Sequence, residues 1–187
     1  MNNSLEQAAQ ALIDCFAQGG KLLLCGNGGS AADCSHIAGE LCKGFKARRR
    51  PDPGFLARVG EDWAQRLQRG LPAIDLTAQS ALITAIINDI SGEDVFAQQV
   101  MAYGRPGDVL LALSTSGNAQ NVGRAAKVAR ALDMLVVGMT GQDGGRLKDS
   151  CDLLLNVDER ETYKVQEMHQ QLYHQLCLMV EQAFFPD

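Results

Sequence analysis

The sequence predicts a doubly wound α/β domain in which helices cover both faces of a five-stranded parallel sheet, as in flavodoxin-like folds. Solidly apolar runs alternate with helix-length amphipathic segments along the chain. These runs lack a polar face, which is typical of parallel strands that are covered on both sides. Glycine-rich turns follow two of the runs, at residues 26–29 and 141–145.

The predicted strands and helices alternate as crossover connections require. The strands are residues 21–25, 72–76, 108–113, 134–140 and 152–157. The helices lie near residues 4–18, 30–44, 79–87, 93–103, 118–132 and 161–183. Ligands bind such sheets at the carboxyl ends of the strands, so we expect a site at the loops after the first and third strands.

Residues 46–71 interrupt this alternation and are predicted to form a helical insertion. Phe55, Val59, Trp63 and Leu67 recur every four residues, which predicts one helical stripe. The stripe fits a helix packed on the domain or on a neighbouring subunit, and it also fits a lid over the active site. The basic run at residues 46–50 is predicted to be a solvated loop.

Length and composition indicate a single domain over residues 1–187. The net charge of -5 disfavours nucleic acid as a partner, because phosphate backbones require a basic face. No basic, apolar leader and no bilayer-length apolar run is visible, so we expect no signal peptide and no membrane partner. Six cysteines without a CxxC pair are expected to be reduced thiols in a cytoplasmic protein.

The first candidate binding loop is the sequence LCGNGGS at residues 24–30. Its glycines allow close approach of a ligand to the backbone, and the helix that follows offers free N–H groups. Ser30 could cap this helix or donate its hydroxyl to the ligand. The loop matches neither GxGxxG nor GxxxxGK[ST], so no nucleotide cofactor is implied.

The second candidate loop is the sequence LSTSGN at residues 113–118. Ser114, Thr115 and Ser116 place three hydroxyl groups at a strand-to-helix turn. Neutral hydroxyls and backbone amides can hold a phosphate without Lys or Arg, because the helix dipole supplies a positive field. Three consecutive hydroxyls exceed what capping requires, so we favour phosphate binding over capping alone.

Two helices carry candidate acid–base groups. His36 and Glu40 are four residues apart and share one helix face. On the last helix, Gln166 and His174 are eight residues apart, which places them within about 80° of each other around the axis. His169 lies about 140° from His174, so the two histidines cannot share a centre. The four groups could form an acid–base site or a divalent metal site, and spacing alone does not decide between them.

The segments CGNGGSAADCSHIAGEL, STSGN, TGQDGG and VQEMHQQLYH resemble, in order and spacing, the motifs of the phosphoheptose isomerase family, which has the sugar-isomerase (SIS) fold. The resemblance covers residues 8–45 and 72–185. It implies conversion of D-sedoheptulose 7-phosphate to D-glycero-D-manno-heptose 7-phosphate through an enediol, the first step of nucleotide-activated heptose synthesis. It also implies a homotetramer with active sites between subunits, and zinc in some members.

The resemblance also implies roles for individual residues. Glu40 is the expected base and His174 the expected acid, and the expected zinc ligands are His36, Glu40, Gln166 and His174. The substrate contacts that it implies are Asn27, Gly28, Gly29, Ser30, Glu40, Asn88, Asp89, Ser114, Thr115, Ser116, Asn118 and Gln166.

The chain departs from the family pattern at several positions. Ala119 stands where a third phosphate-binding serine is usual, Tyr163 replaces an acidic residue, and Lys43-Gly44 replaces a Gly-Arg pair. The extended N-terminal helical region of the family is also missing. Two alternatives therefore stay open: an isomerase of another sugar phosphate, and a non-catalytic binding protein of the DnaA initiator-associating type. Glu40 and His174 favour an enzyme, because the binding proteins of the DnaA initiator-associating type resemble modules that have lost the catalytic glutamate and the final histidine.

Overall fold

A computed structural model describes residues 3–186, in which five parallel strands form one sheet. The strands are β1 (Leu22–Cys25), β2 (Ala73–Asp75), β3 (Val109–Ser114), β4 (Leu135–Thr140) and β5 (Leu153–Asn156). They lie in the order β2-β1-β3-β4-β5, so the chain reverses its direction of winding between β1 and β3. A ligand crevice is expected at that point. All five predicted strands are confirmed.

Seven α-helices within residues 3–186 surround the sheet. They are α1 (Asn3–Ala17), α2 (Gly29–Cys42), α3 (Pro53–Val59), α4 (Ser80–Asp89), α5 (Val95–Tyr103), α6 (Gln120–Ala131) and α7 (Thr162–Phe184). Alternate residues of β1 enter two separate cores, as the two-residue period of a strand requires. Leu22 and Leu24 pack under α1, α2 and α7, whereas Leu23 and Cys25 pack under α5 and α6.

The long helix α7 determines the geometry of the site. It packs against α1 and α2, and it buries Val165, Tyr173 and Val180 along one stripe. Its 23 residues span about 34 Å, at the usual rise per residue. One face of α7 therefore runs from the loops at the carboxyl edge of the sheet down the length of α2.

The insertion is helical, but the predicted continuous stripe is wrong. Gly60 adopts a φ of 104°, which glycine tolerates, and it separates α3 from a short 3₁₀ helix at Glu61–Gln65. The break turns Leu56 and Ala64 inward. Val59, Trp63 and Leu67 stay 40%, 39% and 42% exposed, so these stripe residues are not buried against the domain.

Two further expectations concern the chain as a whole. All six cysteines are free thiols. In the part of the chain that the structure describes, no helix combines the length and the apolar character that a membrane span needs.

Candidate active site

The two predicted loops line one cavity at the carboxyl ends of β1 and β3. Its volume is about 350 Å³, and α2 and α6 begin beside it. The lining residues are Asn27, Gly28, Gly29, Ser30, Leu113, Ser114, Thr115, Ser116, Ala119, Thr162 and Gln166. This lining contains backbone amides, hydroxyls and two side-chain amides but no Lys or Arg, which suits a dianion held by helix dipoles and N–H groups.

The first loop owes its shape to two glycines. Gly28 has a φ of 57°, in the left-handed region, and it precedes α2 without a side-chain cap. The prediction that Ser30 could be the N-cap is therefore wrong, and its buried hydroxyl lines the cavity instead. A Cβ atom at Gly29 would lie 2.3 Å from Nε2 of Gln166, so only glycine lets this amide lie against the loop.

The second loop is held in place by the turn after β4. The backbone N–H of Gly141 donates to the carbonyl of Thr115 at 2.9 Å, and that of Leu147 donates to the carbonyl of Gly117 at 2.8 Å. The N-cap position of α6 is Ala119, which offers no side-chain cap; the N–H of Val122 donates to Oδ1 of Asn121, but the N–H groups of residues 120 and 121 lack a side-chain partner among the described residues. A bound anion can fill this role.

The acid–base groups meet below the cavity, between α2 and α7. Nε2 of His36 lies 3.1 Å from Oε1 of Glu40, and Nδ1 of His36 lies 2.9 Å from the hydroxyl of Tyr173. The ring centroids of His36 and His174 are 5.1 Å apart. The structure therefore brings a carboxylate and two imidazoles into one cluster, which we call the His36 cluster: Asp33, His36, Glu40, Tyr173 and His174.

His174 presents an open coordination atom in this cluster. The rings of Phe45, Tyr173 and His36 surround it, with centroid distances of 5.6, 5.0 and 5.1 Å. Its Nε2 is buried and has no hydrogen-bond partner among residues 3–186. A buried nitrogen without a partner is costly, and such atoms in native proteins commonly serve a ligand, a proton transfer or a metal ion.

Comparison with known proteins agrees with this geometry. The SIS domain family matches residues 1–69 and 55–141. Phosphoheptose isomerase of Burkholderia pseudomallei (strain 1710b) is 44% identical over 182 residues, which cover 97% of this chain and 83% of that protein. The corresponding isomerase of Roseiflexus sp. (strain RS-1) is 43% identical over 179 residues, 96% of this chain and 81% of that protein. The chain belongs to the phosphoheptose isomerase family.

Solved structures of this family share the fold. The phosphoheptose isomerase of Neisseria gonorrhoeae superposes with a TM-score of 0.80 at 39% identity, covering 95% of this chain and 85% of that one. That of Francisella tularensis gives 0.82 at 34% identity, covering 96% and 85%. The SIS fold predicted from the sequence is thereby confirmed.

Not every predicted phosphoheptose isomerase residue reaches the cavity within one chain. Asn88 and Asp89 end α4 as exposed side chains that hydrogen bond to each other at 2.7 Å. Asn118 accepts from the backbone N–H of Arg146 at 3.2 Å and lies beside the cavity lining. Gln166 and His174 are about 12 Å apart along the axis of α7, so the amide serves the upper loops while the imidazole serves the His36 cluster. Their roles as substrate contacts and ligands stay predictions.

His169 takes no part in the site. It is fully buried, and both ring nitrogens lack a hydrogen-bond partner within the described residues. Burial lowers its pKa, so the ring is neutral in the core. The separation of the two histidines follows the spacing predicted from the helix period.

The basic run after α2 is a loop in which Lys46, Arg48 and Arg50 are exposed, as the sequence predicts, but Arg49 is fully buried, and for this residue the prediction of a solvated side chain is wrong. Its Nε donates to Oε1 of Glu181 on α7 at 2.8 Å, and its other two nitrogens donate to the carbonyls of Leu41 and Glu40 at 2.5 and 2.9 Å. Glu181 also accepts from the backbone N–H groups of residues 45, 46 and 47. We call this pair and its partners the Arg49–Glu181 clamp.

The clamp keeps Glu181 ionised. Burial alone disfavours the charged carboxylate, but hydrogen bonds from three backbone N–H groups and from Arg49 outweigh it and lower the pKa of Glu181. The clamp holds Phe45, whose ring contacts His174, and the carbonyl of Glu40. It therefore fixes the segment that follows the predicted catalytic base.

Three residues near the site were missed by sequence reasoning. Thr162 begins α7 and lines the cavity, while Asp33 and Tyr173 lie behind His36. Burial and the neighbouring Asp33 raise the pKa of Tyr173, so its hydroxyl keeps its proton. The helix period offered a signal for Asp33, which lies one turn before His36, but not for Tyr173, whose contact with His36 spans 137 positions.

Proposed function

We propose that the protein is an aldose–ketose isomerase that converts D-sedoheptulose 7-phosphate to D-glycero-D-manno-heptose 7-phosphate. The observation that carries this proposal is the contact of Glu40, His36 and His174 beside a cavity suited to a phosphate. Both ends of the substrate thus have a matching site: the phosphate at the loops, and the reacting carbons at the His36 cluster.

The phosphate group is held by neutral donors. Ser30, Ser114, Thr115 and Ser116 line the cavity, and α2 and α6 begin beside it. Binding at this remote group fixes the sugar relative to the acid–base groups, so the proton transfers become effectively intramolecular. Gln166 lies against Gly29 and can orient the sugar between the two ends.

The isomerisation needs one base and one acid. The Glu40 carboxylate removes a proton from C1 of the ketose, and the C1–H electron pair forms the C1–C2 double bond of the enediol. Glu40 then returns the proton to C2, while His174 moves protons between the two oxygens. Each positioned acid or base contributes typically about 10²–10⁴-fold to such a rate.

A zinc site in this cluster is part of the proposal. Of the expected ligands, His36, Glu40 and His174 lie together and Nε2 of His174 is buried without a partner among the described residues, whereas Gln166 lies about 12 Å from His174 along α7 and is not beside them. Bound zinc would supply Lewis-acid stabilisation of the negative charge on the enediolate oxygens. Within residues 3–186, no group of three or more His, Cys, Asp or Glu side chains has the geometry of a metal site. Since His36 is hydrogen bonded to Glu40, a ligand role would replace that bond.

We also propose a cytoplasmic homotetramer with active sites between subunits. Ile87 of α4 and Ile90, which follows the end of this helix, are 53% and 57% exposed, and Val59, Trp63 and Leu67 of the insertion are exposed to a lesser degree. Asn88 and Asp89, which lie between them in the sequence, are exposed and do not line the cavity of their own chain. Contact of α4 with a neighbouring subunit would bury the apolar residues and bring both polar side chains towards the neighbour's sugar.

The decisive experiment incubates the protein with D-sedoheptulose 7-phosphate and follows aldose formation by NMR, with zinc and with EDTA. We expect turnover by the native protein and a loss of about 10²–10⁴-fold in kcat for Glu40→Gln, because the exchange keeps shape and removes the base. Circular dichroism should show an unchanged fold in the variant. Near-native activity of Glu40→Gln would remove Glu40 from its role.

The same assay separates the alternatives. Turnover of a five-carbon sugar phosphate without turnover of the heptulose would indicate another isomerase. No turnover of either sugar in any metal condition, together with tight binding to an initiator protein, would favour the binding-protein alternative.

A further inference from the structure

The two loops of the cavity are joined to each other by a pair of amide side chains. Nδ2 of Asn27, in the first loop, donates to Oδ1 of Asn121 at 2.9 Å, and Nδ2 of Asn121 donates back to Oδ1 of Asn27 at 2.9 Å. The two residues are 94 positions apart in the chain, and Asn121 lies in the first turn of α6, shortly after the second loop. We call this contact the Asn27–Asn121 pair.

A third hydrogen bond fixes the orientation of both amides. The backbone N–H of Val122 donates to Oδ1 of Asn121 at 2.9 Å, which identifies this atom as the oxygen of the amide. Nδ2 of Asn27 must then face that oxygen, and the reciprocal bond follows. Because an amide has two N–H groups and two lone pairs, Asn27 keeps one of each for a further contact.

The pair is the hydrogen-bonded connection between the two loops beyond the end of the sheet. The ladder between β1 and β3 extends as far as Cys25 and Ala112. Past that point, no other hydrogen bond joins residues 26–30 to residues 114–124 in the part of the chain that the structure describes. The second loop is otherwise held from its far side, by the turn after β4. Hydrogen bonding between the two halves of the cavity therefore depends on these two amides.

We propose, on the basis of the function proposed above, that Asn121 is a positioning residue: through Asn27 it holds the first loop at the distance from the second loop that a bound phosphate needs. Asn27 lines the cavity, whereas Asn121 does not. Asn121 thus acts on the ligand through its partner. The remaining N–H and lone pair of Asn27 stay available to the substrate while the pair is formed.

Loss of the pair affects binding more than the chemical step. Residues 28–30 of the first loop and residues 114–116 of the second loop both line the cavity, so a phosphate that contacts both connects the loops itself. Without the pair, the ligand has to order the two loops when it binds, which lowers its affinity. Once the phosphate is bound, the loops have the same arrangement as in the native protein, and the acid–base groups meet the same sugar carbons.

The test is a double-mutant cycle on the binding of inorganic phosphate. The Kd for phosphate is measured from the ¹H–¹⁵N chemical shifts of the loop glycines in the native protein, in Asn27→Ala, in Asn121→Ala and in the double variant. We expect Asn121→Ala to raise Kd by about 3–10-fold, as for the loss of one or two neutral hydrogen bonds. In the Asn27→Ala background, the same change should have no further effect, because the partner is already absent.

The kinetic constants and a control variant accompany the cycle. With D-sedoheptulose 7-phosphate, Asn121→Ala should raise KM in proportion to Kd, while kcat stays within about threefold of the native value, as for loss of uniform binding. Gln10→Ala is the matched control. The Gln10 amide donates to Asp14 at 2.8 Å on the surface of α1, and neither residue lines the cavity, so this variant should leave Kd and KM unchanged.

A second variant protects the test against damage to α6. Asn121→Ser offers an oxygen to the N–H groups at the start of the helix, but a hydroxyl with one proton cannot form the reciprocal pair. It should weaken phosphate binding as Asn121→Ala does, and it replaces that variant in the cycle if the alanine variant does not fold.

Three results would overturn the proposal: no binding of phosphate by the native protein, an unchanged Kd in the Asn121 variants, or an equal loss of affinity with and without the Asn27 amide. The last result would show that Asn121 acts on α6 alone. The expected cycle without turnover of the sugar would refute only the proposed reaction.

Discussion

Two groups of polar side chains join α2 and its following loop to α7, and they differ in one respect. In the Arg49–Glu181 clamp, both carboxylate oxygens and all three guanidinium nitrogens have hydrogen-bond partners. In the His36 cluster, Nε2 of His174 and Oδ2 of Asp33 have none within residues 3–186. Both groups lie at the same helix interface, so the difference is not one of location in the fold.

The difference separates structural from functional polar groups. A buried charged pair is tolerated when every donor and acceptor is satisfied, and removal of one partner is then costly. A buried atom without a partner lowers stability, and His169 shows that such atoms also occur in the core. In the His36 cluster the unpartnered atoms adjoin a carboxylate and an imidazole, so we assign the proposed chemistry to the cluster and a structural role to the clamp.

The largest expected effect is a loss of turnover when a residue of the His36 cluster is replaced without loss of the fold. His174→Leu removes the unpartnered nitrogen and keeps a similar volume, so turnover should fall by about 10²–10⁴-fold. The free energy of unfolding in EDTA should be unchanged or should rise by about 1–3 kcal/mol, because an unsatisfied buried atom is lost. Urea titration and the isomerase assay measure both quantities. A large loss of stability would show that Nε2 of His174 has a hydrogen-bond partner in the folded protein, which would contradict the difference between the cluster and the clamp.

The second expected effect breaks the clamp. Arg49→Met keeps the aliphatic length but leaves the Glu181 carboxylate without its counter-ion, so the free energy of unfolding should fall by about 3–5 kcal/mol. The neighbouring Arg50→Met is the control: its pair with Glu61 is exposed, at 66% and 73%, and should contribute only about 0–1 kcal/mol. Equal urea midpoints for the two variants would contradict the structural role of Arg49.

The features that the sequence predicted correctly depend on neighbouring residues. Apolar runs bounded by turns located all five strands, and glycines with hydroxyls located both loops of the cavity. The helix period placed His36 with Glu40 and separated His169 from His174. In each case the deciding residues lie within about two helical turns of one another, where backbone geometry fixes their relation.

The features that were missed depend on residues far apart in the chain. Arg49 belongs to a basic run that is typical of a solvated loop, but its partner Glu181 lies 132 positions away. Tyr173 contacts His36 across 137 positions. Gly60 is the exception, because the four-residue stripe was a local signal and the break at this glycine was also local. A glycine inside an apolar four-residue period disfavours a continuous helix, and at Gly60 this local signal was the stronger of the two.

The smallest expected effect is a change in how the stability of the protein depends on pH when Glu181 of the clamp is replaced. The pKa of Glu181 is lower in the folded protein than in the unfolded chain, where it is about 4.3. Its ionised form therefore stabilises the fold fully above that value, and this contribution is lost as pH falls through the lowered folded pKa. Urea midpoints between about pH 6 and pH 3 should fall less steeply in Glu181→Gln than in the native protein, since glutamine does not titrate. The exposed Glu61→Gln should leave the slope unchanged, and an unaltered slope in Glu181→Gln would mean that the clamp does not depend on charge.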